Sequence, residues 1–224
     1  MEALIGYTFK DKELLERALT HSSYANEYRQ QGVRHNERLE FLGDAVLELV
    51  ISSFIFNEFQ DYPEGELTKL RASIVCEYML SHKAMELKLG EHLRLGKGED
   101  ATGGRERPSI LADAFEAIIG AIYIDGGIEC ARDFILEQLK DDIFGMKRKF
   151  RTNDSKTYLQ EIIQSTSKEG VEYAIVSESG PAHNKVFCAE ARHKGEVLGK
   201  GKGKSKKEAE QNAALAAIEK MNVD

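Results

Sequence analysis

Cysteine is scarce in this sequence, and its few positions suit neither disulfides nor a metal site. Only three occur in 224 residues, Cys76, Cys130 and Cys188, an odd number at wide spacing. This pattern excludes a disulfide-stabilised scaffold and the paired cysteines of a zinc site. Because free thiols are typical of a reducing compartment, we expect a cytoplasmic protein.

Long hydrophobic runs are also missing. The longest candidate, residues 45–56, is short and contains Glu48, whereas a membrane helix needs about 18 apolar residues. Residues 1–7 contain no basic region followed by an apolar core, so no secretory signal is expected. The glycines of residues 96–108 lack the strand-then-helix context of a nucleotide-binding loop. We predict no membrane contact and no organic cofactor.

The sequence has no overall excess of positive charge. Its formal net charge is −7, with a net of −8 in residues 1–150 and +1 in residues 151–224. The second part nevertheless contains a local cluster within eight residues, formed by Lys200, Lys202, Lys204, Lys206 and Lys207. A cluster of one sign matters more for phosphate binding than the total charge does.

The stretch NERLEFLGDAVLELV, residues 36–50, is predicted to form the central helix. At about 100° per residue, Glu37, Glu40 and Asp44 fall within one quadrant, and the other faces are almost wholly apolar. Such a helix is usually buried, and buried carboxylates need a partner, for which a divalent cation is suitable. An ordinary amphipathic helix with an acidic stripe explains this stretch alone equally well.

A second stretch, SILADAFEAIIGAIYI at residues 109–124, has the same character. Asp113 and Glu116 are three residues apart and share a helix face, which Gly120 continues without a side chain. Two apolar helices with carboxylates at helical spacing predict two walls of one oxygen-ligand metal site. Such ligands suit magnesium, with manganese as a substitute, better than zinc.

The pattern changes near residue 150. Residues 1–146 read as helices throughout, including helices at 10–21, at 128–144 and from about 61 to 89. Residues 147–154 are polar and basic and predict a flexible linker. Residues 155–224 predict a helix (156–166), three strands (171–178, 185–193 and 196–203) and a final helix (205–221).

Several of these strings together resemble the ribonuclease III family. The endonuclease domain is matched by HNERLEFLGDA (35–45), PEGELTKLRA (63–72) and RPSILADAFEAIIGAIY (107–123). KTYLQE (156–161) and GKGKSKKEAEQNAA (201–214) are similar to a double-stranded RNA-binding domain. The resemblance covers the whole chain. It implies two domains, an all-α endonuclease domain followed by an α+β (α-β-β-β-α) RNA-binding domain.

The resemblance also implies roles for individual residues. Metal would be bound by Glu40, Asp44, Asp113 and Glu116, among which Asp44 and Glu116 would be catalytic. Glu37 and Glu64 would form an outer acidic ring, and Phe41 would insert into a second subunit to make a homodimer. The implied RNA contacts are Gln160, Glu161, His183, Lys204, Ser205, Lys206 and Lys207. The lysines also lie at the positive end of the final helix, where phosphate binds readily.

The function implied is a magnesium-dependent endoribonuclease that hydrolyses double-stranded RNA. Its products would carry 5′-phosphate and 3′-hydroxyl ends with short 3′ overhangs, and its substrates would include ribosomal RNA precursors and other structured transcripts. Two competing functions are less well supported. A non-catalytic RNA-binding or assembly protein on the same fold is expected to lack at least one of the four acids, and all four are present. A metal-dependent hydrolase of small phosphate esters is disfavoured by the C-terminal domain. His21 with Ser22 and Ser23 could indicate nucleophilic catalysis, but capping of a helix end explains them better.

Overall fold

The computed structural model describes residues 1–181 and 185–221, and for residues 147–154, 161, 165 and 166 it describes the backbone alone. The chain forms two compact units, Met1–Phe144 and Gly145–Asp224. The helices are α1 (Glu2–Ile5), α2 (Lys12–Ala18), α3 (Ser22–Glu27), α4 (Glu37–Glu58), α5 (Glu64–Ile74), α6 (Glu77–Glu86), α7 (Leu89–His92), α8 (Lys97–Ala101), α9 (Pro108–Thr166) and α10 (Lys206–Met221). The strands are β1 (Glu172–Ser179), β2 (Val186–His193) and β3 (Glu196–Gly203).

Helices α4 and α9 supply much of the core of the first unit. The largest fully buried side chains include Leu39, Leu47 and Ile51 of α4 and Phe115, Ile118 and Ile119 of α9. Burying each of them contributes about 1.5–3 kcal/mol relative to exposure. The predicted helices of residues 36–50 and 109–124 are therefore the elements that organise this unit.

One face of α4 is not buried, which differs from the expectation for a helix that is apolar nearly all round. Phe41 is 80% exposed, Leu49 58% and Phe56 68%. These positions are eight and seven residues apart, close to two helical turns each, so they form one stripe. No other part of the described chain covers them, and an apolar stripe of this kind marks an interaction surface.

Helix α9 spans Pro108–Thr166, where the sequence predicted separate helices and a linker. Gly127 has a φ of +81°, in the left-handed region that favours glycine, so the backbone leaves regular helical geometry between the predicted helices 109–124 and 128–144. The backbone of residues 147–154 is helical, and after Gly145 this segment has no glycine or proline to end a helix. The flexibility of the linker, and the domain limits at 146 and 155, stay predictions.

The prediction of one long helix from residue 61 to 89 is wrong, because the helix is interrupted at Val75 and Cys76, between α5 and α6. Cys76 is extended, with ψ of 152°. Just before the break, the Ser73 hydroxyl donates to the Leu70 carbonyl (2.7 Å) and the Cys76 thiol to the Ser73 carbonyl (3.4 Å). Such local side-chain bonds compete with helical hydrogen bonds.

The glycine-rich segment of residues 96–108 contains a short helix, α8. Its start is held by side chains from α3, since Ser23 Oγ accepts from the Gly96 N–H (2.9 Å) and the Glu27 carboxylate from the Lys97 N–H (2.7 Å). Contacts with residues about 70 positions earlier therefore order this segment, and local composition could not indicate them.

The second unit is a three-stranded antiparallel sheet in the order β1-β2-β3, with the C-terminal part of α9 and with α10. Ala189 and Ala191 of β2 are buried with Leu159 of α9 and with Ala213 and Ala217 of α10. On β3 the matching positions are glycines, and a Cβ on any of them would collide with the backbone of α10. Small residues on both elements let the helix lie close against the sheet, and the predicted α-β-β-β-α order is confirmed.

Among the helices of residues 1–181 and 185–221, none has the length and apolar content that a bilayer crossing requires. Cys76, Cys130 and Cys188 are free thiols.

Candidate metal centre and nucleic-acid interface

Helices α4 and α9 cross at a contact where both sides are backbone. A Cβ atom on Gly43 would lie 1.8 Å from the carbonyl oxygen of Glu116, and one on Gly120 would lie 2.2 Å from the carbonyl oxygen of Leu39. Since neither position has room for a side chain, the helices approach more closely than other residues would permit. About one turn before each glycine, the acids of the two helices therefore come face to face.

Three of those acids converge. Glu40 of α4 and Asp113 and Glu116 of α9 each offer a carboxylate oxygen, and the three oxygens lie within 4.8 Å of one another. All three residues are half-buried. Three carboxylates at this separation repel one another, and a hard divalent cation that takes oxygen ligands would offset the repulsion. The donor set fits such a cation.

Burial and mutual repulsion of the carboxylates dominate the electrostatics of the cluster. Burial raises the pKa of Glu116 to about 8, and the charges of Asp44, Glu40 and Asp113 add to the effect. Burial likewise raises the pKa of Glu40, with further contributions from Asp113, Glu37 and Asp44. Without a cation, Glu116 therefore holds a proton at neutral pH, and a bound cation would displace it.

Asp44, the fourth predicted ligand, lies at the edge of the cluster. It is exposed, and within the described chain it is outside the group of three converging oxygens. Among the neighbouring carboxylates, Asp44 nevertheless has the largest effect on the pKa of Glu116. The geometry brings Glu40, Asp113 and Glu116 together with Asp44 beside them, and their role as metal ligands stays a prediction.

Two further residues near the cluster were not identified from the sequence. Burial raises the pKa of Asp113, His21 opposes that rise, and Glu77 and Glu37 add to it. Glu77 opens α6, and nothing in its local sequence indicated a place beside α9. His21 caps α3, since its Nδ1 accepts from the Ser23 N–H (3.2 Å). The capping explanation of this segment is confirmed, although an imidazole rather than a hydroxyl forms the cap.

The two outer acids lie in different places. Glu37 is exposed at the start of α4, with its carboxylate 3.6 Å from His35 Nδ1, and its charge acts on the cluster. Glu64 begins α5, where its carboxylate accepts from the Thr68 hydroxyl (2.9 Å). It lines a small pocket with Phe56, and it is not among the charges that act on the cluster acids.

Two side-chain hydrogen bonds hold the start of α10. Ser205 Oγ accepts from the Glu208 N–H (3.1 Å), and the Glu208 carboxylate accepts from the Lys204 N–H (2.7 Å). Lys204 and Lys207 are exposed. Lys206 Nζ lies 3.9 Å from the Glu178 carboxylate and 6.0 Å from the centroid of the Phe187 ring. Lysine side chains therefore surround a helix N-terminus whose geometry Ser205 maintains.

The other predicted RNA contacts are only partly described. Gln160 Oε1 accepts from the Val171 N–H (3.0 Å), which fixes the chain that enters β1. The side chain of Glu161 lies outside the described atoms, and His183 lies outside the described residues. All RNA-binding roles stay predictions.

An acid cluster in an all-helical unit and a lysine-rich helix start in a sheet-and-helix unit are the features expected of a metal-dependent hydrolase that acts on nucleic acid. Comparison with known families agrees. A family described as Ribonuclease-III-like matches residues 11–143, and the double-stranded RNA binding motif matches residues 155–221.

Individual relatives give the same result. Ribonuclease 3 of Desulforamulus reducens is 52% identical over 221 residues, which cover 99% of this chain and 90% of the relative. Ribonuclease 3 of Listeria monocytogenes is 50% identical and is covered to 96% of its length. Among solved structures, the nuclease domain of ribonuclease III from Campylobacter jejuni is 45% identical, with a TM-score of 0.59, and the match covers 62% of this chain and 94% of that domain.

A structure of Dicer from Pichia stipitis matches along most of its length. It is 29% identical, with a TM-score of 0.51, and the match covers 95% of this chain and 96% of that one. The chain belongs to the ribonuclease III family, and it is an endoribonuclease that acts on double-stranded RNA.

Proposed function

We propose that the chain hydrolyses duplex RNA with Mg²⁺ held by Glu40, Asp44, Asp113 and Glu116, and that Mn²⁺ can substitute. The observation that carries this proposal is the convergence of three half-buried carboxylate oxygens within 4.8 Å. Held by these acids, the cation would supply Lewis-acid stabilisation of the scissile phosphate and would make an attacking water more acidic. The protein's own contribution is to hold the acids at a rigid crossing of two buried helices.

Asp44 and Glu116 have complementary positions for the reaction. Asp44 is exposed beside the cluster, where it can orient an attacking water by accepting a hydrogen bond. Glu116 is the more deeply buried acid and joins the α9 side of the site to Glu40 of α4. Water attacks phosphorus and the 3′ oxygen leaves, so the products carry 5′-phosphate and 3′-hydroxyl ends.

The exposed stripe of Phe41, Leu49 and Phe56 supports a homodimer formed through α4. The Campylobacter jejuni nuclease domain, according to its description, contains a region involved in dimer formation. A two-fold axis near Leu49, perpendicular to α4, would set Phe41 of one subunit against the Phe56 end of the other. Phe41 would then sit in the small pocket that Phe56, Leu67 and Thr68 line.

This arrangement gives Glu64 a function. Glu64 lines the same pocket and is distant from the acid cluster of its own chain. In the antiparallel dimer it would approach the Phe41 end of the partner's α4, where the partner's acids lie. Each cleavage centre would thus receive its outer acid Glu37 from one subunit and Glu64 from the other.

A two-fold dimer with two centres suits a duplex, whose strands are related by local two-fold symmetry. Each centre would cut one strand, which leaves short 3′ overhangs. We propose ribosomal RNA precursors and other structured transcripts as substrates, and the cytoplasm as the compartment, in keeping with the three free cysteines.

The decisive experiment is cleavage of a long perfect RNA duplex by wild type and by Glu116→Gln, with Mg²⁺ and with chelator. Magnesium-dependent shortening by wild type alone, with both proteins retarding the duplex in a gel, is expected. Because a metal ligand supplies several kcal/mol of transition-state stabilisation, the variant should be about a thousandfold slower or worse. Binding without cleavage by wild type across Mg²⁺ and Mn²⁺ titrations would instead establish a non-catalytic RNA-binding protein.

A further inference from the structure

Three arginines meet on the side of the first unit where α2 ends and α4 begins. Arg17 is in the last turn of α2, and Arg34 and Arg38 flank the start of α4. Burial lowers the pKa of Arg17, and the positive charges of Arg34 and Arg38 lower it further. In the part of the chain that the structure describes, none of the three forms an ion pair.

Arg17 is held in place rather than free in solvent. Its Nε donates to the carbonyl oxygen of His35 (3.1 Å), and the Asn36 N–H donates to the carbonyl oxygen of Thr20 (2.9 Å). These two bonds tie the segment that enters α4 to the end of α2. With Nε occupied, the two terminal nitrogens of the guanidinium are fixed in orientation and available to an acceptor.

A groove of about 500 Å³ adjoins this cluster, and Arg17, Arg34, Thr20 and Gly32 are among the residues that line it. Acids line it as well: Asp11, Glu13 and Glu16.

Two of these acids already have partners. Asp11 caps α2 by accepting from the Glu13 N–H (2.9 Å), and the Glu16 carboxylate lies 3.3 Å from Arg94. Asp11 and Glu13 belong to the first turn of α2, whereas Arg17 is in its last turn, about 6 Å further along the helix from Glu13. Since Glu16 is paired with Arg94, Arg17 and Arg34 are the lining residues with unpaired charge at the end of the groove next to α4, among the residues that the structure describes.

We propose that Arg17, Arg34 and Arg38 form a binding site for a phosphodiester of the duplex RNA, outside the scissile linkage. The inference rests on the proposed function. Like charges held together without a counter-ion cost free energy in the unbound protein, and a phosphate removes that cost. Guanidinium groups are suited to it, because their planar fork donates two parallel hydrogen bonds to phosphate oxygens.

The arginine cluster lies beside the metal centre, on a different face of α4. Arg38 is two residues before Glu40, about 200° around α4, so it faces away from the metal centre. Thr20, in the groove wall, immediately precedes His21, which is one of the groups that influence the pKa of Asp113. The site thus borders the cleavage centre without being part of it, and it fixes the register of the duplex rather than the chemistry.

The test is duplex RNA affinity of the full-length protein in chelator, measured by fluorescence anisotropy between about 50 and 200 mM salt. Arg34→Glu is the informative variant, since Arg34 is exposed and its change leaves the Arg17–His35 bond intact. Arg29→Glu is the matched control, with the same charge change in the same segment but outside the groove lining. Arg34→Lys tests rescue by charge.

We expect Arg34→Glu to weaken binding about tenfold and to reduce the slope of log affinity against log salt by about one. Arg29→Glu should change affinity less than about twofold, and Arg34→Lys should restore most of it. Equal affinity and slope for wild type and Arg34→Glu would overturn the proposal. A second result would also overturn it: inorganic phosphate raises the Tm of wild type but not that of Arg34→Glu, while the two proteins bind duplex RNA equally well. The site would then bind free phosphate rather than RNA.

Cleavage of duplex RNA by wild type in Mg²⁺ is measured separately, so that the proposed function and the proposed site are tested independently. Failure to cleave, with the Arg34 dependence of binding intact, would contradict the proposed function but not this site. Normal cleavage with binding that is independent of Arg34 would contradict only the site.

Discussion

Gly43 of α4 lies directly against the carbonyl oxygen of Glu116 on α9, with no space for a side chain between them. A Cβ atom at Gly43 would be 1.8 Å from that oxygen and 3.0 Å from the backbone nitrogen of Gly120. The acid that is central to the proposed chemistry is therefore placed by its own backbone against a glycine of the facing helix. The same contact therefore determines how closely the two helices pack and where the acids of the metal centre lie.

Gly43→Ala should therefore damage both stability and the site. The added methyl must push α4 away from α9, which costs about 1–3 kcal/mol in a packed core, and Glu40 would move away from Asp113 and Glu116. Thermal unfolding should show a lower Tm, and titration with Mg²⁺ should show weaker binding.

Gly65→Ala is the control for that substitution. Gly65 is also helical, in α5, and a Cβ there would meet nothing within 4 Å. It should be neutral or stabilising by about 0.4–1 kcal/mol. If Gly43→Ala and Gly65→Ala behaved alike, the close crossing would not matter for the site.

The raised pKa of Glu116 predicts how stability without metal depends on pH. Its pKa is about 8 in the folded chain against an ordinary value of 4.5, so between these values the folded state holds a proton that the unfolded state has released. This contribution to stability is complete below pH 4.5 and is lost as pH rises through about 8.

In chelator, the Tm of wild type should fall between pH 6 and 9 more steeply than that of Glu116→Gln, and Mg²⁺ should restore the wild type selectively. The measurement is thermal unfolding of both proteins at matched ionic strength. Parallel pH profiles for the two proteins in chelator would show that Glu116 does not titrate in this range.

Phe41→Glu should dissociate the proposed dimer. A charge placed on a side chain that is 80% exposed in the single chain costs little in the monomer, but it is expensive once buried against a partner. Sedimentation should show a shift from dimer to monomer. Tyr78→Glu, at a side chain that is 75% exposed on α6, is the matched control and should remain dimeric. A monomeric wild type would exclude the α4 interface altogether.

Lysines at the start of α10 and the serine that caps it should have separable effects. Lys204→Ala or Lys207→Ala should weaken duplex RNA binding and reduce the salt slope by about one each, with Tm unchanged. Ser205→Ala removes the hydroxyl that accepts from the Glu208 N–H and should destabilise by about 1 kcal/mol. Titrations of duplex RNA at several salt concentrations, with thermal unfolding, distinguish the two. An unchanged slope for both lysine variants would remove them from the interface.

The amino-acid sequence by itself determined the fold class, the order of elements in the second unit and the helix faces that carry Glu40, Asp44, Asp113 and Glu116. It could do so because apolar periodicity and carboxylate spacing are local properties. Glu40 and Asp44 share a face of α4, and Asp113 and Glu116 share one of α9, wherever those helices lie.

Only the tertiary structure decided which groups meet. Nothing local indicated that Gly43 faces Glu116, that Glu77 acts on Asp113, that Glu64 lies away from its own cluster, or that Arg17, Arg34 and Arg38 share one surface. The break at Cys76 and the short helix α8 also depend on side-chain bonds, some of them between residues about 70 positions apart. Local preference predicts helices, whereas the free energy that selects their crossings comes from contacts that exist only in the folded chain.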